Sequence, residues 1–368
     1  MNSFGRIFSV HIFGESHGES AGINIDGCPA GLPLSAEDFL EDIERRKGGT
    51  QKGTTPRKED DLPIFKSGVF NGKTTGAPIT ILFENKNTRS GDYEKQRAVP
   101  RPGHADFVAH AKFGGYEDFR GGGHFSGRLT VCLVAAGVIA KKILDLTPGP
   151  SPGERGAAPA QGLALSFGEG LGEVKPEPEA KNEGIKVRAT ILEIGGETDL
   201  EKGLQKAIDN KDSIGGIVEC RVSGLPVGLG EPFFDSVESV ISHAVFAIPA
   251  IRGVEFGTGF AAAKMFGVDH NDAIEDKTGK TKTNHAGGVV GGITNGNELV
   301  FRIAVKPTSS TPKEQQTLNW ETGAVESFSV KGRHDLCIAL RVPVVLEAVT
   351  ALVLVDLLML EHHIKRIL

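Results

Sequence analysis

Residues 119–144 read FRGGGHFSGRLTVCLVAAGVIAKKIL, and the fold turns on how this stretch is taken. It opens on Arg120 and the glycines Gly121, Gly122 and Gly123. His124, Phe125, Ser126 and Arg128 follow, and then an apolar run from 129 to 144. That run, apolar apart from Thr130, Lys141 and Lys142, reads as a buried helix. Glycines let backbone approach a ligand closely and adopt φ > 0. A helix starting near Ser126 would aim its unpaired N–H groups and positive dipole end at that ligand. Arg120 and Arg128 add charge of the same sign, so the stretch reads as an anion site, foremost for a phosphate. It also reads as a plain loop with a serine N-cap.

Working outward, the composition is that of a globular chain. Hydrophobic residues make up 39% and charged residues 24% of 368, enough to bury a large core. The net charge of −6 gives no global argument for nucleic acid or an anionic membrane. One tryptophan and two tyrosines do not make a stacking platform for single-stranded nucleic acid. Glycine is frequent, 49 residues, often paired between apolar runs, which suggests tight turns and close ligand approach. Cys28, Cys132, Cys220 and Cys337 stand far apart with no C-x-x-C pair, which argues against a zinc module or disulfide scaffold. No metal site is expected. Reduced thiols point to the cytoplasm, and the N-terminus has no signal-peptide h-region. The most apolar stretch, 344–360, contains Glu347 and Asp356, so it reads as a core helix rather than a membrane span.

Taken in order, residues 4–13 read as a strand running into GESHG (14–18), a polar loop between glycines. His17 there fits either a site or a surface turn. Ser35 to Asp38 is a capping box opening a helix that ends near Arg46. Arg45, Arg46, Lys47, Lys52 and Arg57, with Lys58 adjoining, form a cationic arm. It is either solvated or a clamp for a polyanionic small molecule. Asn71-Gly72 marks a hairpin. RPGHAD (101–106) is a rigid turn setting His104 beside a carboxylate, and a histidine is the natural acid near neutral pH. Residues 146–184 hold six prolines and eight glycines, too many to build a core, and read as an exposed insertion. Strands are expected at 185–194, 214–222, 254–260 and 299–305, and helices at 199–210 and 236–248. KPTSS (306–310) is a second anion-binding string. Arg333-His334-Asp335 precedes the C-terminal helix, either as a salt-bridged cap or as a clamp beside a catalytic carboxylate.

Two look-alikes fail on context. GTGFAA (257–262) fits a dinucleotide fingerprint, but a polar loop begins where the βαβ unit should continue. Gly72-Lys73-Thr74 and Gly279-Lys280-Thr281 lack the upstream P-loop glycine, having Ser67 and Ile274 there.

The strings GESHG, RPGHAD, RGGGHFSGRLT, NHAGG (284–288), KPTSS and GRHD (332–335), in this order, resemble the chorismate synthase family over nearly the whole chain. The resemblance implies an α+β fold: a β-α-β sandwich of two antiparallel sheets around a buried helical layer. The expected organisation is one domain, 1–368, with 146–184 as an insertion. It also implies the conversion of 5-enolpyruvylshikimate 3-phosphate to chorismate, a 1,4-anti elimination of phosphate with no net redox change that requires reduced flavin mononucleotide (FMN). The runner-up is a nicotinamide- or flavin-linked oxidoreductase, and a non-enzymatic alternative is an anion- or RNA-binding module using the cationic arm.

By the same resemblance His17 is the acid at the departing phosphate. His104 protonates or holds the reduced flavin. Asp335 assists proton removal, and Ser16 and Ser126 orient groups nearby. Flavin contacts carry over onto His124, Phe125, Ser126, Pro249, Ala250, Gly291, Lys306, Pro307, Thr308, Ser309, Ser310 and Arg333. Arg46 and Lys52 carry over as nicotinamide- or substrate-binding cations, with Arg57, Arg128 and Arg333 for substrate. Many members have Arg-Ser-Ser where His124-Phe125-Ser126 stands, arginine at Lys52, and Lys or Asn at Pro249. A lysine does not reproduce arginine's bidentate fork. The family implies a cytoplasmic homotetramer without nucleic-acid or membrane partners. It leaves open whether NADPH or an external reductant supplies the electrons.

Overall fold

The computed structural model describes residues 2–49, 52–55, 59–87, 97–147, 184–330 and 334–367. Two antiparallel sheets dominate. The N-terminal sheet has the order β1-β2-β3-β7-β4, built from β1 (Ser3–Phe4), β2 (Ser9–Gly14), β3 (Ser20–Asp26), β4 (Ile64–Ser67) and β7 (Ile79–Glu84). Between β4 and β7, β5 (Val69–Phe70) and β6 (Lys73–Thr74) form the expected hairpin. Asn71 and Gly72 both have φ > 0 there, as a tight two-residue turn requires. The second sheet has the order β10-β13-β9-β8, from β8 (Lys186–Ile194), β9 (Gly216–Ser223), β10 (Ile251–Phe256) and β13 (Leu299–Val305).

The single strand expected at 4–13 is instead two. β1 folds back on β2, pairing Ser3 with His11 and Phe4 with Val10. The turn between them is held by a buried carboxylate: Asp356 Oδ1 accepts the N–H groups of Arg6, Ile7 and Phe8 at 3.0, 2.7 and 3.0 Å. Local β-propensity could not foresee a partner 350 residues away. The hairpin β14 (Gln315–Leu318) and β15 (Val325–Phe328) also went unforeseen, because its strands are polar and half exposed.

Among the described residues the longer α-helices are α1 (Leu40–Arg46), α2 (Asp106–Phe113), α3 (Thr130–Leu146), α4 (Leu200–Asn210), α5 (Val237–Val245) and α6 (Val342–Leu360). The capping box before α1 is present, Ser35 N–H donating to Asp38 Oδ2 at 2.8 Å. Helices α3 and α6 pack on each other. Helix α3 also touches β2, β3 and β7, while α6 touches β8 and β9. Both are nearly all apolar, and their side chains join one buried core with the inner faces of both sheets. They meet at Gly137: a Cβ there would lie 2.2 Å from Ala348 Cβ and 2.4 Å from its Cα. Among the described residues one apolar helix, Ile338–Leu360, is long and apolar enough to cross a membrane, and 94% of its most apolar 18-residue window is buried inside the protein.

The flanks of the proline-rich segment meet, since Ile185 N–H donates to Leu144 O at 3.3 Å. Residues 148–183 of that segment lie outside the described residues.

Candidate active site

The glycine run does more than open a helix. Gly121, Gly122 and Gly123 all have φ > 0, a region costly for any residue with a Cβ. A Cβ on Gly121 would lie 2.9 Å from both His17 Nε2 and Ser16 Oγ, and one on Gly122 would lie 3.1 Å from His104 Cε1. Two adjacent glycines thus let two histidines, 87 positions apart in the chain, close on one backbone segment. Ser126 then caps the turn, its Oγ accepting the Arg128 N–H at 3.3 Å, and α3 begins one short 3-10 turn later at Thr130.

This wall borders a cavity of about 710 Å³, whose lining includes Arg46, Asp61, Arg101, His104, Gly121, His124, Phe125, Ser126, Arg128, Pro249, Ala250, Lys306, Thr308, Ser309, Ser310, Asp335 and Arg341. Its deeper side is apolar, with Leu133, Ile248, Val345, Val349 and Leu352. A second hollow of about 640 Å³ shares Arg101, His104, His124 and Phe125 with it.

The cationic end is unusual. Arg46 is only 3% exposed, and its Nε and Nη1 have no hydrogen-bond partner among the described residues. Its Nη2 stands 3.8 Å from Asp61 Oδ2. Burial, together with the neighbouring Arg341 and Arg128, pushes the Arg46 guanidinium down to about 9, and Asp61 offsets this in part. Arg128 is fully engaged, its Nη1 donating to Asp61 at 2.5 Å and its Nε to Asn85 Oδ1 at 2.9 Å. Arg341 donates from Nε to Arg46 O at 2.7 Å and from Nη1 to Asp335 Oδ2 at 3.0 Å. The other oxygen of Asp335 accepts the Thr55 N–H at 2.9 Å, tying the cationic arm to the cavity.

The two remaining strings meet across the cavity. Ser309 Oγ donates to Gly103 O at 2.7 Å, Lys306 Nζ donates to Ser309 Oγ at 2.7 Å, and Arg101 Nη1 donates to Ser310 Oγ at 3.3 Å. Burial, with Arg252 nearby, lowers the affinity of Lys306 for its proton. His124 Nδ1–H donates to Gly14 O at 2.9 Å, joining the glycine run to GESHG.

Most expected site residues therefore converge. Ser16 and His17 stand behind Gly121, with Ser16 fully buried and its Oγ unpartnered among the described residues. Pro307 lies within the converging string but does not line the cavity. Gly291 lies elsewhere, in the turn joining β11 (Val289–Val290) and β12 (Ile293–Thr294). Lys52 is also elsewhere: its Nζ donates to Gln205 Oε1 at 3.3 Å beside α4. Arg57 and Arg333 lie outside the described residues. Sequence reasoning missed Asp61, Asp106's grip on Arg101, and Arg341. A signal existed for Arg341, a cation at the N-terminus of a long helix, where the dipole disfavours it.

The glycine segment 257–262 leaves β10 for a short 3-10 turn, Gly259–Lys264, inside an antiparallel sheet. It is not the parallel βαβ unit a dinucleotide needs, and the oxidoreductase alternative is not favoured.

The residues present suit a polyanionic substrate beside a cofactor that is apolar at one end and anionic at the other. Unpartnered donors on Arg46 and the Lys306–Ser309 string answer the charges, and the apolar floor answers a ring system. Fold and site define an enzyme with a cation-lined cavity whose glycine wall is backed by two histidines, His104 lining the cavity and His17 standing behind Gly121. The family model described as "Chorismate synthase" matches residues 8–359, and the chain belongs to the chorismate synthase family. A chorismate synthase of Chitinophaga pinensis is 67% identical over 367 residues, covering 100% of this chain and 99% of that protein. One of Methanocaldococcus jannaschii is 41% identical, covering 97% and 96%. A structure titled "Crystal Structure of Chorismate Synthase" superposes with a TM-score of 0.65 at 25% identity, covering 97% of this chain and 93% of that one. The chain is accordingly a carbon–oxygen lyase that acts on a small molecule with a reduced flavin, in the pathway to the aromatic amino acids.

Proposed function

We propose that the 710 Å³ cavity binds reduced FMN and 5-enolpyruvylshikimate 3-phosphate together and that its residues drive the 1,4-anti elimination of phosphate. The observation that carries this reading is the pair of histidines closing on Gly121 and Gly122, at a wall shared with buried Arg46, whose Nε and Nη1 have no hydrogen-bond partner among the described residues. When bound, the reduced flavin supplies transient electron density to the reacting ring.

The protein's residues do the rest. Arg46 and Arg341 attract the substrate's anionic groups in a low-dielectric setting, where such pairing is strong. Arg57 and Arg333 join them on family grounds, as do Gly291 and Lys52 for the cofactor. Lys306 with Thr308, Ser309 and Ser310 holds the cofactor phosphate, and Phe125, Pro249 and Ala250 pack its ring. His17 gives a proton to the departing phosphate, with Ser16 beside it. His104 holds or moves a proton at the flavin, and Ser126 orients groups nearby. Asp335 accepts one hydrogen bond on each oxygen, which leaves lone pairs to accept a proton. Arg128, saturated by Asp61 and Asn85, braces the site more than it grips substrate.

At larger scale the reading is a single domain in which the two sheets sandwich the α3–α6 layer. The assembly is a cytoplasmic homotetramer on family grounds. Exposed aromatic side chains such as Phe234, at 94% exposure, support burial by another copy. Light scattering after gel filtration tests this, and a monomer would refute it.

The deciding assay is anaerobic phosphate release from 5-enolpyruvylshikimate 3-phosphate with photoreduced FMN, repeated with NADPH and oxidised FMN. Release in the first mixture alone is expected if an external reductant serves the enzyme. Release in both assigns flavin reduction to this chain. Release in neither, from folded flavin-binding protein, overturns the site reading.

A further inference from the structure

His104 Nδ1 faces two groups that make opposite demands. Asp106 Oδ1 lies 2.6 Å away and Arg101 Nη2 lies 3.0 Å away. A carboxylate accepts and a guanidinium only donates, so the proton on Nδ1 satisfies one and frustrates the other. Arg101 has no need of Nδ1. It already donates from Nε to Asp106 Oδ2 at 2.7 Å and from Nη2 to Asp106 Oδ1 at 2.8 Å, and its backbone N–H reaches Oδ2 at 3.1 Å. The shorter, charge-assisted contact wins. On the far side of the ring, the Cε1–Nε2 edge lies over Gly122, where a Cβ would come within 3.1 and 3.3 Å.

We propose that Asp106 is a positioning residue for His104: it keeps a proton on Nδ1 in both the neutral and the charged imidazole, so that Nε2 is the nitrogen that exchanges protons with the cavity. The inference rests on the reading of His104 as a proton-handling group. Burial alone would favour a neutral Asp106, but hydrogen bonds from Arg101 and His104 outweigh it and hold the carboxyl well below the usual range. Asp106 is therefore ionised wherever the enzyme works. Arg101 in turn fixes Asp106, and Ser310 and Gly103 tie that platform to the phosphate-binding string. The same logic governs a buried aspartate behind a catalytic histidine in hydrolases, where loss of the carboxylate leaves the geometry and gives the wrong tautomer.

In Asp106→Asn only one oxygen remains. Arg101 takes it, the amide NH₂ turns toward Nδ1, and the tautomer changes to Nε2–H. The expected result is a fall in kcat of about 10²–10⁴-fold with KM and melting temperature little changed. In a His104→Ala background the same substitution is expected to cost less than about threefold, because residues acting as one unit are not additive. Imidazole ¹⁵N spectra of the full chain give the direct readout. The His104 signals, assigned by their loss in His104→Ala, should report Nδ1–H in the parent and Nε2–H in Asp106→Asn.

A near-parental kcat in Asp106→Asn, a full additive loss in the double variant, or an unchanged tautomer overturns the proposal. Near-parental turnover in His104→Ala removes the role of His104 instead, and the ¹⁵N spectra still test the grip of Asp106. Should Asp106→Asn fail to fold, Asp106→Ser, which lacks a second oxygen for Nδ1, carries the same cycle and the same spectra.

Discussion

At the scale of single residues, the site is defined by charges and rings placed where folding alone would not put them. Arg46 is the clearest case. A buried cation with two unpartnered donors costs stability, and the protein retains it. In the native state burial pushes the Arg46 guanidinium down to about 9, well below its ordinary range, so its charged form is penalised on folding. That penalty is in full force below about pH 9 and is relieved as pH rises through that value. Arg46→Met is therefore expected to melt at or above the parental temperature near pH 7, with the advantage shrinking above pH 9. Its affinity for the phosphorylated substrate should fall at least tenfold. A variant that melts well below the parent would show that Arg46 serves the fold instead. For the histidines, His17→Ala and His104→Ala should each lower turnover by about 10²–10⁴-fold with the fold intact. Near-parental rates in steady-state phosphate release would strip both of their roles.

At the scale of elements, the two apolar helices are the structural centre and Gly137 sets how closely they approach. Alanine is the better helix former by about 1 kcal/mol, yet at this position its methyl would overlap Ala348. Overpacking of this kind costs about 1–3 kcal/mol, so Gly137→Ala should lower stability in denaturant melts in spite of its propensity. A stabilised variant would mean that the α3–α6 spacing yields easily. The glycine run shows the same physics at the site, with backbone exchanged for the nearness of His17 and His104. Element positions were largely legible in the sequence. The strand at Leu299–Val305 matched its apolar run residue for residue, and α3, α4 and α5 began within a few residues of their capping signals. The β1–β2 turn was not legible, because Asp356, one of two acids in the last apolar helix, specifies it.

At the scale of the whole molecule, five of the six strings, scattered from residue 14 to residue 335, supply one cavity and its supports. Most lie at strand or helix ends, which two sheets and a central helical pair bring into register. NHAGG stands apart, beside the hollow lined by Arg221, Thr258 and His285, and Gly291 stands apart with it. The proline-rich segment interrupts this plan between α3 and β8, whose ends already meet at Leu144 and Ile185. Deleting residues 150–180 should therefore leave phosphate release within about twofold of the parent, since long surface insertions carry little closure cost. A folded but inactive deletion would place that segment in the site or the assembly.

By itself the sequence determined the two buried helices, the order of the strings and, through their resemblance, the family and its α+β class. These are local or periodic properties, written in residue type and spacing. Only the tertiary structure decided which cations face the cavity. It turned Lys52 away toward Gln205, saturated Arg128 with Asp61, left two donors of Arg46 without a hydrogen-bond partner among the described residues and brought in Arg341. It also set Asp106 against His104. The reason is that a long charged side chain reaches the same distance in many directions, and which partner it finds depends on neighbours that come close only after the sheets and helices have packed.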